Sequence, residues 1–209
     1  LLTEHRYSPK FNRTASSGIY CVQFITFVND KNGMEALRWW RDACIDWCYD
    51  RYEDGKFGDQ KYLYDWTTRF KGVHVLQHLG GGLASWNVEQ YKFLERKESQ
   101  IMFFDKVGKT KFEAVFYHFH HVRFFKNNIA DFGWRHPTMP VVNNLYVPYI
   151  LELNKNEENV NQVDNEFNIP LKDFTLIDNS GIKNKIKYLI KTVFRYNVFN
   201  TKKLIAKNK

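Results

Sequence analysis

The strongest constraint on the fold is a change of hydrophobic period within the first quarter of the chain. Residues 18–28, GIYCVQFITFV, are β-branched and aromatic with rough alternation, which predicts a buried strand. After NDKNG, the residues Asn32 and Glu35 stand three apart like a capping box, so a helix is expected to begin at Asn32. Apolar residues then recur at helical spacing to about Tyr52: Met34, Leu37, Trp40, Cys44, Trp47 and Cys48. A strand followed by such a helix indicates the α/β class.

The following segments continue this mixture of strands and helices. EDGKFGDQ is a glycine-punctuated loop before a short predicted helix near Lys61–Trp66, and GVHVLQHL at 72–79 alternates like a strand. GGG at 80–82 predicts a loop where the backbone turns or approaches another group closely. SQIMFFDKV and KFEAVFYHFHHVRFF flank GKT and predict a hairpin, or two strands of one sheet. NNLYVPYILELN predicts a helix interrupted near Pro148.

The positive charge of the chain is concentrated at its C-terminal end. Residues 179–209 contain nine Lys or Arg and no Asp or Glu, so this segment carries a charge of +9. Because the net charge of the whole chain is +8, residues 1–178 together carry a charge of −1. We therefore expect a domain over 1–153, a polar linker over 154–178 and a basic amphipathic tail over 179–209. The tail carries an apolar helical stripe formed by Ile182, Ile186, Leu189, Ile190, Val193 and Phe194.

The sequence allows three interpretations of this tail. A basic helix with an apolar stripe is typical of an interfacial helix on an anionic membrane surface, which residues 182–209 would provide. A helix packed on the domain is the structural alternative. Nucleic acid is the least favoured partner, because the excess charge lies in the tail and leaves the body nearly neutral.

Cysteine usage indicates the compartment. The three cysteines are odd in number, and Cys44 and Cys48 lie four apart on a predicted helix, which favours a reducing environment over a disulfide framework. No apolar run approaches the length needed to span a bilayer, and no cleavable signal is recognisable. A cytoplasmic location is expected, peripheral on the inner face of the cell membrane if the tail binds lipid.

Two polar segments are candidate binding sites. FGDQKYL places Asp59 and Gln60 on a loop directly before a helix, where they suit a network of sugar hydroxyls; a simple helix cap by Asp59 is the alternative. GGGLASWN places Trp86 and Asn87 after glycines. Trp offers a flat apolar face to a pyranose, and Asn offers both hydrogen-bond donors and acceptors. The alternative is a turn followed by a Trp in the core.

The run FYHFHH contains three of the seven histidines. In a strand, His118 and His120 would share one face and His121 would lie on the other. Imidazoles at a strand end are common ligands of Mn, Zn or Fe, although carboxylates must join them to complete a site. A structural strand that happens to be rich in histidine is the alternative.

Taken in order, SSGIYCVQF, FGDQKYL, GVHVL, GLASWN and FYHFHH resemble the second half of a GT-A-fold glycosyltransferase. The likeness covers about residues 1–150 and is nearest to bacterial nucleotide-diphospho-sugar transferases of polysaccharide gene clusters, distant relatives of glycogenin-type enzymes. It implies a GT-A-like mixed sheet flanked by helices. The family's Asn-Ser-Gly turn falls at Ser17 and Gly18, and its Asp-Gln turn falls at Asp59 and Gln60. Its metal-binding histidine falls at His118, and the glycine three residues later falls at His121.

The resemblance implies a function as well as a fold. Sugar transfer from a nucleotide-diphosphate sugar to a glycan or lipid-linked acceptor is expected, with Mn or Mg bound partly by His118. Asp59 and Gln60 would be catalytic, and the sugar subsite would be formed by Ser17, Gly18, Gly82, Trp86, Asn87 and His120. The family's Asp-X-Asp motif is absent from the sequence, so we expect this chain to lack the nucleotide-binding half and to have little activity alone. The alternative is a non-catalytic module that binds glycans or a membrane surface.

Overall fold

The computed structural model describes residues 1–174 and 182–208, which form two compact units of mixed α/β structure, Leu1–His118 and Phe119–Lys209. In the first unit the helices and strands are, in order, β1 (Thr3–Glu4), α1 (Thr14–Ser17), β2 (Tyr20–Cys21), α2 (Lys31–Asp46), β3 (Tyr52–Glu53), β4 (Lys56–Phe57), α3 (Trp66–Arg69), β5 (Gly81–Ala84), β6 (Tyr91–Lys97), β7 (Gln100–Asp105), β8 (Lys111–Glu113) and β9 (Phe116–His118). Short 3₁₀ turns occupy Pro9–Phe11, Lys61–Asp65 and Val88–Gln90.

The first unit contains several small sheets rather than one wide sheet. Strand β1 pairs with β2, and β3 with β4, both antiparallel. Strands β6, β7 and β8 form an antiparallel meander, which confirms the predicted hairpin around GKT. Strands β5 and β9 are parallel, with a register shift between Gly81 and Leu83. The class is α/β as expected, and a GT-A-like sheet remains a prediction.

Helix α2 begins and ends earlier than the sequence pattern indicates. Its N-cap is Asp30, whose side chain accepts a hydrogen bond from the amide of Gly33 at 2.8 Å, so the prediction of Asn32 as the cap is wrong. The helix stops at Asp46, because Trp47 is extended and its carbonyl accepts a hydrogen bond from the Tyr62 hydroxyl instead. Aromatic side chains of α2 pack against a core formed by Leu2, Tyr20, Leu63 and Trp66.

Two predicted strands are much shorter than expected, and one predicted loop is a strand. The strand predicted over 18–28 is limited to Tyr20–Cys21, and the residues that follow pack on the aromatic core without pairing along a sheet. Only Val75 in the segment 72–79 bridges to a neighbour, Leu2. The glycines at 80–82 were predicted to form a loop, but Gly81–Ala84 is fully buried β5 because it pairs with β9.

The second unit is built from β10 (Arg123–Phe125), β11 (Ile129–Asp131), α4 (Met139–Val141), α5 (Val147–Val163), α6 (Ile182–Thr192), β12 (Val198–Asn200) and α7 (Thr201–Ala206). A π-helical turn over Val142–Tyr146 joins α4 to α5 directly before Pro148, as predicted for a proline-interrupted helix. Helix α5 continues to Val163, so residues 154–163 are helical rather than linker.

The basic tail is part of the second unit. Strand β12 pairs with β11, which in turn pairs with β10, so the chain beyond 179 completes an antiparallel sheet. The predicted separation of a tail at 179 from a domain ending at 153 therefore does not describe the packing. Sequence patterning could not show this pairing, because Val198–Asn200 is too short to be distinguished from a loop. Among residues 1–174 and 182–208, no helix has the length and apolar character needed to cross a bilayer.

An ion pair between Lys191 and Asp131 holds α6 to this sheet. The Lys191 ammonium is 2.6 Å from the Asp131 carboxylate, also donates to the carbonyl of Gly133, and lies 4.5 Å from the ring centre of Trp134. Lys191 is only 2% exposed. Burial lowers the pKa of Lys191, and the hydrogen bond and charge of Asp131 oppose that shift. The pair therefore carries the attachment of α6.

We predict that Lys191→Met destabilises the chain by about 3–5 kcal/mol, because it leaves the Asp131 carboxylate buried without its cation. Lys187→Met is the matched control, since Lys187 is exposed on the same helix. Urea unfolding of both variants measures the difference. Equal stability of the two variants would contradict the importance of the buried pair.

Candidate functional site

Two of the segments that carry the predicted site lie in contact. Gly18 ends α1 with a φ of 89°, and a β-carbon placed on it would lie 3.6 Å from Lys61 Cδ and 3.9 Å from the Gln60 carbonyl oxygen. The Lys61 ammonium donates to the Ala15 carbonyl at 3.0 Å and closes the contact. The fold thus brings Ser17 and Gly18 against the loop that carries Asp59 and Gln60.

The loop before the first long 3₁₀ turn presents Asp59 as an unpaired carboxylate. Gly58, with a φ of 51°, turns the chain after β4, and Trp40 Nε1 donates to the Asp59 carbonyl at 2.9 Å. The carboxylate is half-buried and makes no hydrogen bond or ion pair with the described residues. The alternative of a helix cap is wrong, because Gln60 is the N-cap of this turn. Asp59 is therefore open to a ligand.

The thiol of Cys21 also lies near this carboxylate. Burial raises the pKa of Cys21 to about 11; a hydrogen bond from the Gln23 backbone opposes the shift and the charge of Asp59 adds to it. A protonated, buried thiol is a poor nucleophile, so Cys21 serves as packing beside the loop.

The structure corrects the predicted roles of Trp86 and Asn87. Trp86 is 3% exposed and Asn87 is 1% exposed, so neither offers a face to a sugar. Asn87 uses its whole amide internally: it accepts from the Ala84 amide and donates to the carbonyls of His5 and Gly82. Trp86 Nε1 donates to the same His5 carbonyl at 2.8 Å. Both side chains hold the N-terminal segment in place instead of binding substrate.

His5 is the residue of this site that sequence reasoning missed. Its ring is 3% exposed, stacks on Tyr7 at 4.5 Å and meets the edge of Trp86 at 5.4 Å. Burial lowers the pKa of His5 to about 4, and the nearby His118 lowers this pKa as well. Hydrogen bonds to the Ile19 and Gly18 carbonyls and to the Gln60 side chain act in the opposite direction. His5 is a neutral imidazole at pH 7, next to two of the predicted site residues. A lone histidine near Leu1 carries no sequence signal for this role.

His118 lies beside this cluster, whereas His120 belongs to the second unit. The His118 ring is 5.1 Å from that of Trp86, at the last residue of β9. The strand ends there, so the prediction that His118 and His120 share a strand face is wrong. His120 and His121 form a turn, and the φ of His121 is 61°. This left-handed conformation, which favours glycine, occurs where the resemblance places a glycine.

The described residues do not complete a metal site. No group of three His, Cys, Asp or Glu side chains in ranges 1–174 and 182–208 is arranged to hold a metal ion. His118 is a suitable imidazole donor, but a single ligand does not make a Mn or Mg site. We therefore derive no chemical step through a metal.

A buried amide without a partner lies beside Gly82. Neither amide atom of Gln23 has a hydrogen bond in the described structure, although both are shielded from solvent. A β-carbon on Gly82 would lie 3.0 Å from Gln23 Nε2, and Gly82, with a φ of 150°, lies at the register shift of β5. Glycine thus makes room for the amide. An unsatisfied buried amide costs about 1–3 kcal/mol, which a bound ligand or water would recover.

The assembled groups suit a polar, hydroxyl-rich ligand. Half-buried Asp59, Gln60 and His118 supply a carboxylate, an amide and an imidazole, and the buried His5 lies behind Gln60. Carboxylates accept hydrogen bonds from hydroxyl groups, and amides and imidazoles both donate and accept. The set contains no buried nucleophile of high reactivity, so it favours binding and electrostatic stabilisation over covalent catalysis.

Comparison with known proteins finds sequence similarity to two proteins of Bacillus subtilis (strain 168). The chain is 31% identical over 159 residues to the uncharacterized protein YfnD of Bacillus subtilis (strain 168), an alignment that covers 74% of this chain and 49% of that protein. It is 31% identical over 158 residues to the uncharacterized protein YfnF, covering 72% and 48%. The chain spans about half the length of these curated relatives. No protein-family model and no solved structure matches it.

The depressed pKa of His5 predicts a pH-dependent stability. Unfolding restores the ordinary pKa of 6.5, so the unfolded chain binds more protons than the folded one between about pH 4 and 6.5. Stability should fall as the pH drops through this window, by up to roughly 3 kcal/mol, and be constant above it. Urea unfolding at steps of pH should show a flatter profile for His5→Gln than for the exposed control His74→Gln. The same pH dependence of stability in both variants would contradict the lowered pKa of His5.

The unpaired amide predicts that Gln23→Met stabilises the free protein. Methionine has a similar shape and no polar group to satisfy, so the free energy of unfolding should rise by about 1–2 kcal/mol. Urea unfolding without ligand measures this, with the exposed Gln162→Met as the control. A loss of stability in Gln23→Met alone would show that the amide is bound to a structural water and is not held for a ligand.

Proposed function

We propose that this chain is part of a glycosyltransferase that moves a sugar from a nucleotide-diphosphate sugar to a glycan or lipid-linked acceptor. The observation that carries the proposal is the contact between the Ser17–Gly18 turn and the Asp59–Gln60 loop. These segments lie about forty residues apart, and both are among those that the glycosyltransferase resemblance assigns to the substrate site. The left-handed turn at His121 supports the same resemblance at the backbone.

The available side chains suggest how the site would act. In the reaction the anomeric C–O bond to the diphosphate breaks and its electron pair leaves with the nucleoside diphosphate. The acceptor oxygen forms the new C–O bond, and its proton is taken up by the departing diphosphate. The Asp59 carboxylate would bind sugar hydroxyls and stabilise positive charge developing at the anomeric carbon. Gln60 would orient the same sugar through its amide, and neutral His5 would position Gln60.

Mn or Mg remains a prediction of the resemblance. When bound, such an ion would neutralise charge on the diphosphate, with His118 as its ligand from this chain. The other ligands would have to come from outside the described residues. Because the curated relatives are about twice as long as the matched region, the activity of the whole protein, its donor and its acceptor are part of this proposal. A location on the inner face of the cell membrane is proposed with them.

Saturation-transfer NMR of the 209-residue chain with UDP- and GDP-sugars tests the proposal, since it detects weak binding. Asp59→Asn should weaken binding of the best ligand by about tenfold or more, because it removes a charged hydrogen-bond acceptor. Asp54→Asn is the control: it lies in the β3–β4 turn five residues before Asp59, is exposed, and its φ of 48° suits asparagine. No binding by the wild type, or equal loss in both variants, would refute the proposed sugar site.

The alternative is a module that binds glycans or a membrane without catalysis, favoured by the incomplete metal site. Release of UDP or GDP in the presence of Mn²⁺ and acceptor distinguishes the two functions. Release of the nucleotide that depends on Asp59 would contradict the module, whereas little release is expected from this chain alone under either function.

A further inference from the structure

Helix α6 faces its apolar stripe away from the body of the second unit. Ile182, Ile186, Leu189 and Val193 recur at helical spacing, and 50–78% of each residue is exposed. Phe194, directly after the stripe, is 71% exposed. A surface helix of a globular protein ordinarily buries such a stripe against the core, so this orientation requires an explanation.

The explanation is that the charged side chain of Lys191, and not the apolar stripe, faces the sheet of the second unit. At about 100° per residue, Lys191 lies roughly opposite the line through Ile182, Ile186 and Leu189. Among the α6 side chains that the structure describes, Lys191 is the buried one, paired with Asp131 and placed over the Trp134 ring. This pair fixes the rotation of α6 about its own axis. The apolar stripe is therefore presented outward on a folded helix.

The outward face has a positive border. On the same helical wheel, exposed Lys185 lies about 40° from Leu189 and borders the stripe, whereas exposed Lys187 lies about 100° beyond Ile186 on the other side, nearer to Lys191. No Asp or Glu occurs anywhere in residues 182–208, so nothing in this stretch neutralises them. An apolar stripe between lysines matches the interface of an anionic bilayer, where the apolar side chains enter the acyl boundary and the ammonium groups remain at the headgroups.

We propose that α6 binds the surface of an anionic lipid bilayer through this stripe. The helix is about 16 Å long, which suits a position in the plane of the interface. A second copy of the chain is a poorer occupant, because its own stripe has the same positive border. Nucleic acid would use the lysines and leave the apolar side chains in water. The proposal does not depend on the proposed sugar site.

Vesicle co-sedimentation of the 209-residue chain tests this surface, using phosphatidylcholine with and without phosphatidylglycerol. Ile186→Asp combined with Leu189→Asp should lower binding to the anionic vesicles at least about tenfold, since two apolar side chains can no longer be buried. Val107→Asp combined with Val163→Asp is the matched control. Both valines are at least 86% exposed and lie outside α6, and the change in net charge is the same.

A second pair of variants tests the border. Lys185→Gln with Lys187→Gln should weaken binding to phosphatidylglycerol vesicles by about thirtyfold, because each lysine near an anionic surface contributes about fivefold. Lys92→Gln with Lys111→Gln removes the same charge from exposed positions in the first unit and should change binding little. Deleting 182–209 would be uninformative, because it also removes β12 and Lys191.

Four outcomes would overturn the proposal. They are no binding to anionic vesicles, binding that does not require phosphatidylglycerol, and equal loss in variants and controls. The fourth is a dimer in sedimentation velocity, without vesicles, that Ile186→Asp with Leu189→Asp dissociates, which would show that a second copy covers the stripe. Unchanged urea unfolding of each variant establishes that the differences come from the surface.

Discussion

The candidate site depends on one backbone carbonyl. The His5 carbonyl accepts hydrogen bonds from Trp86 at 2.8 Å and Asn87 at 2.9 Å, two donors about eighty residues further along the chain. These bonds hold the N-terminal segment beside β5, and they bury the His5 ring against Trp86. The ring in turn lies next to Gln60 and His118. These contacts place His5 between Gly18, Gln60 and His118.

Sequence patterns predicted the local features of this fold better than its distant ones. The hairpin around GKT, the break before Pro148 and the loop carrying Asp59 follow from turn residues and periodicity within a few positions. The sequence left two roles open for Trp86 and Asn87, because the same pattern fits a sugar subsite or a turn with a core Trp, and the structure confirms the second. His5 was missed because a lone histidine outside any motif carries no signal for contacts with residues far along the chain. The end of β9 at His118 depends on its parallel pairing with β5, which no local pattern encodes.

Burial of polar groups gives each unit its functional character. In the second unit, the buried Lys191 and Asp131 hold α6 with its apolar stripe outward; the stripe was predicted, but its direction depends on this ion pair. In the first unit, the unpaired Gln23 amide beside Gly82 costs stability in the free protein. The unpaired amide and the outward apolar stripe are each unfavourable for an isolated domain, and the proposed ligand and bilayer would each remove that cost.

The most direct test of the site is a heteronuclear NMR spectrum of the histidine side chains during titration with UDP-glucose. We predict that the ring signals of His5 and His118 shift together and saturably, because the His5 ring borders the Gln60 loop and the His118 ring lies near His5 and Trp86. The exposed rings of His74, His78 and His136 should remain unchanged. Shifts confined to the exposed rings, or none at millimolar UDP-glucose, would contradict the assignment of a nucleotide-sugar site to this cluster.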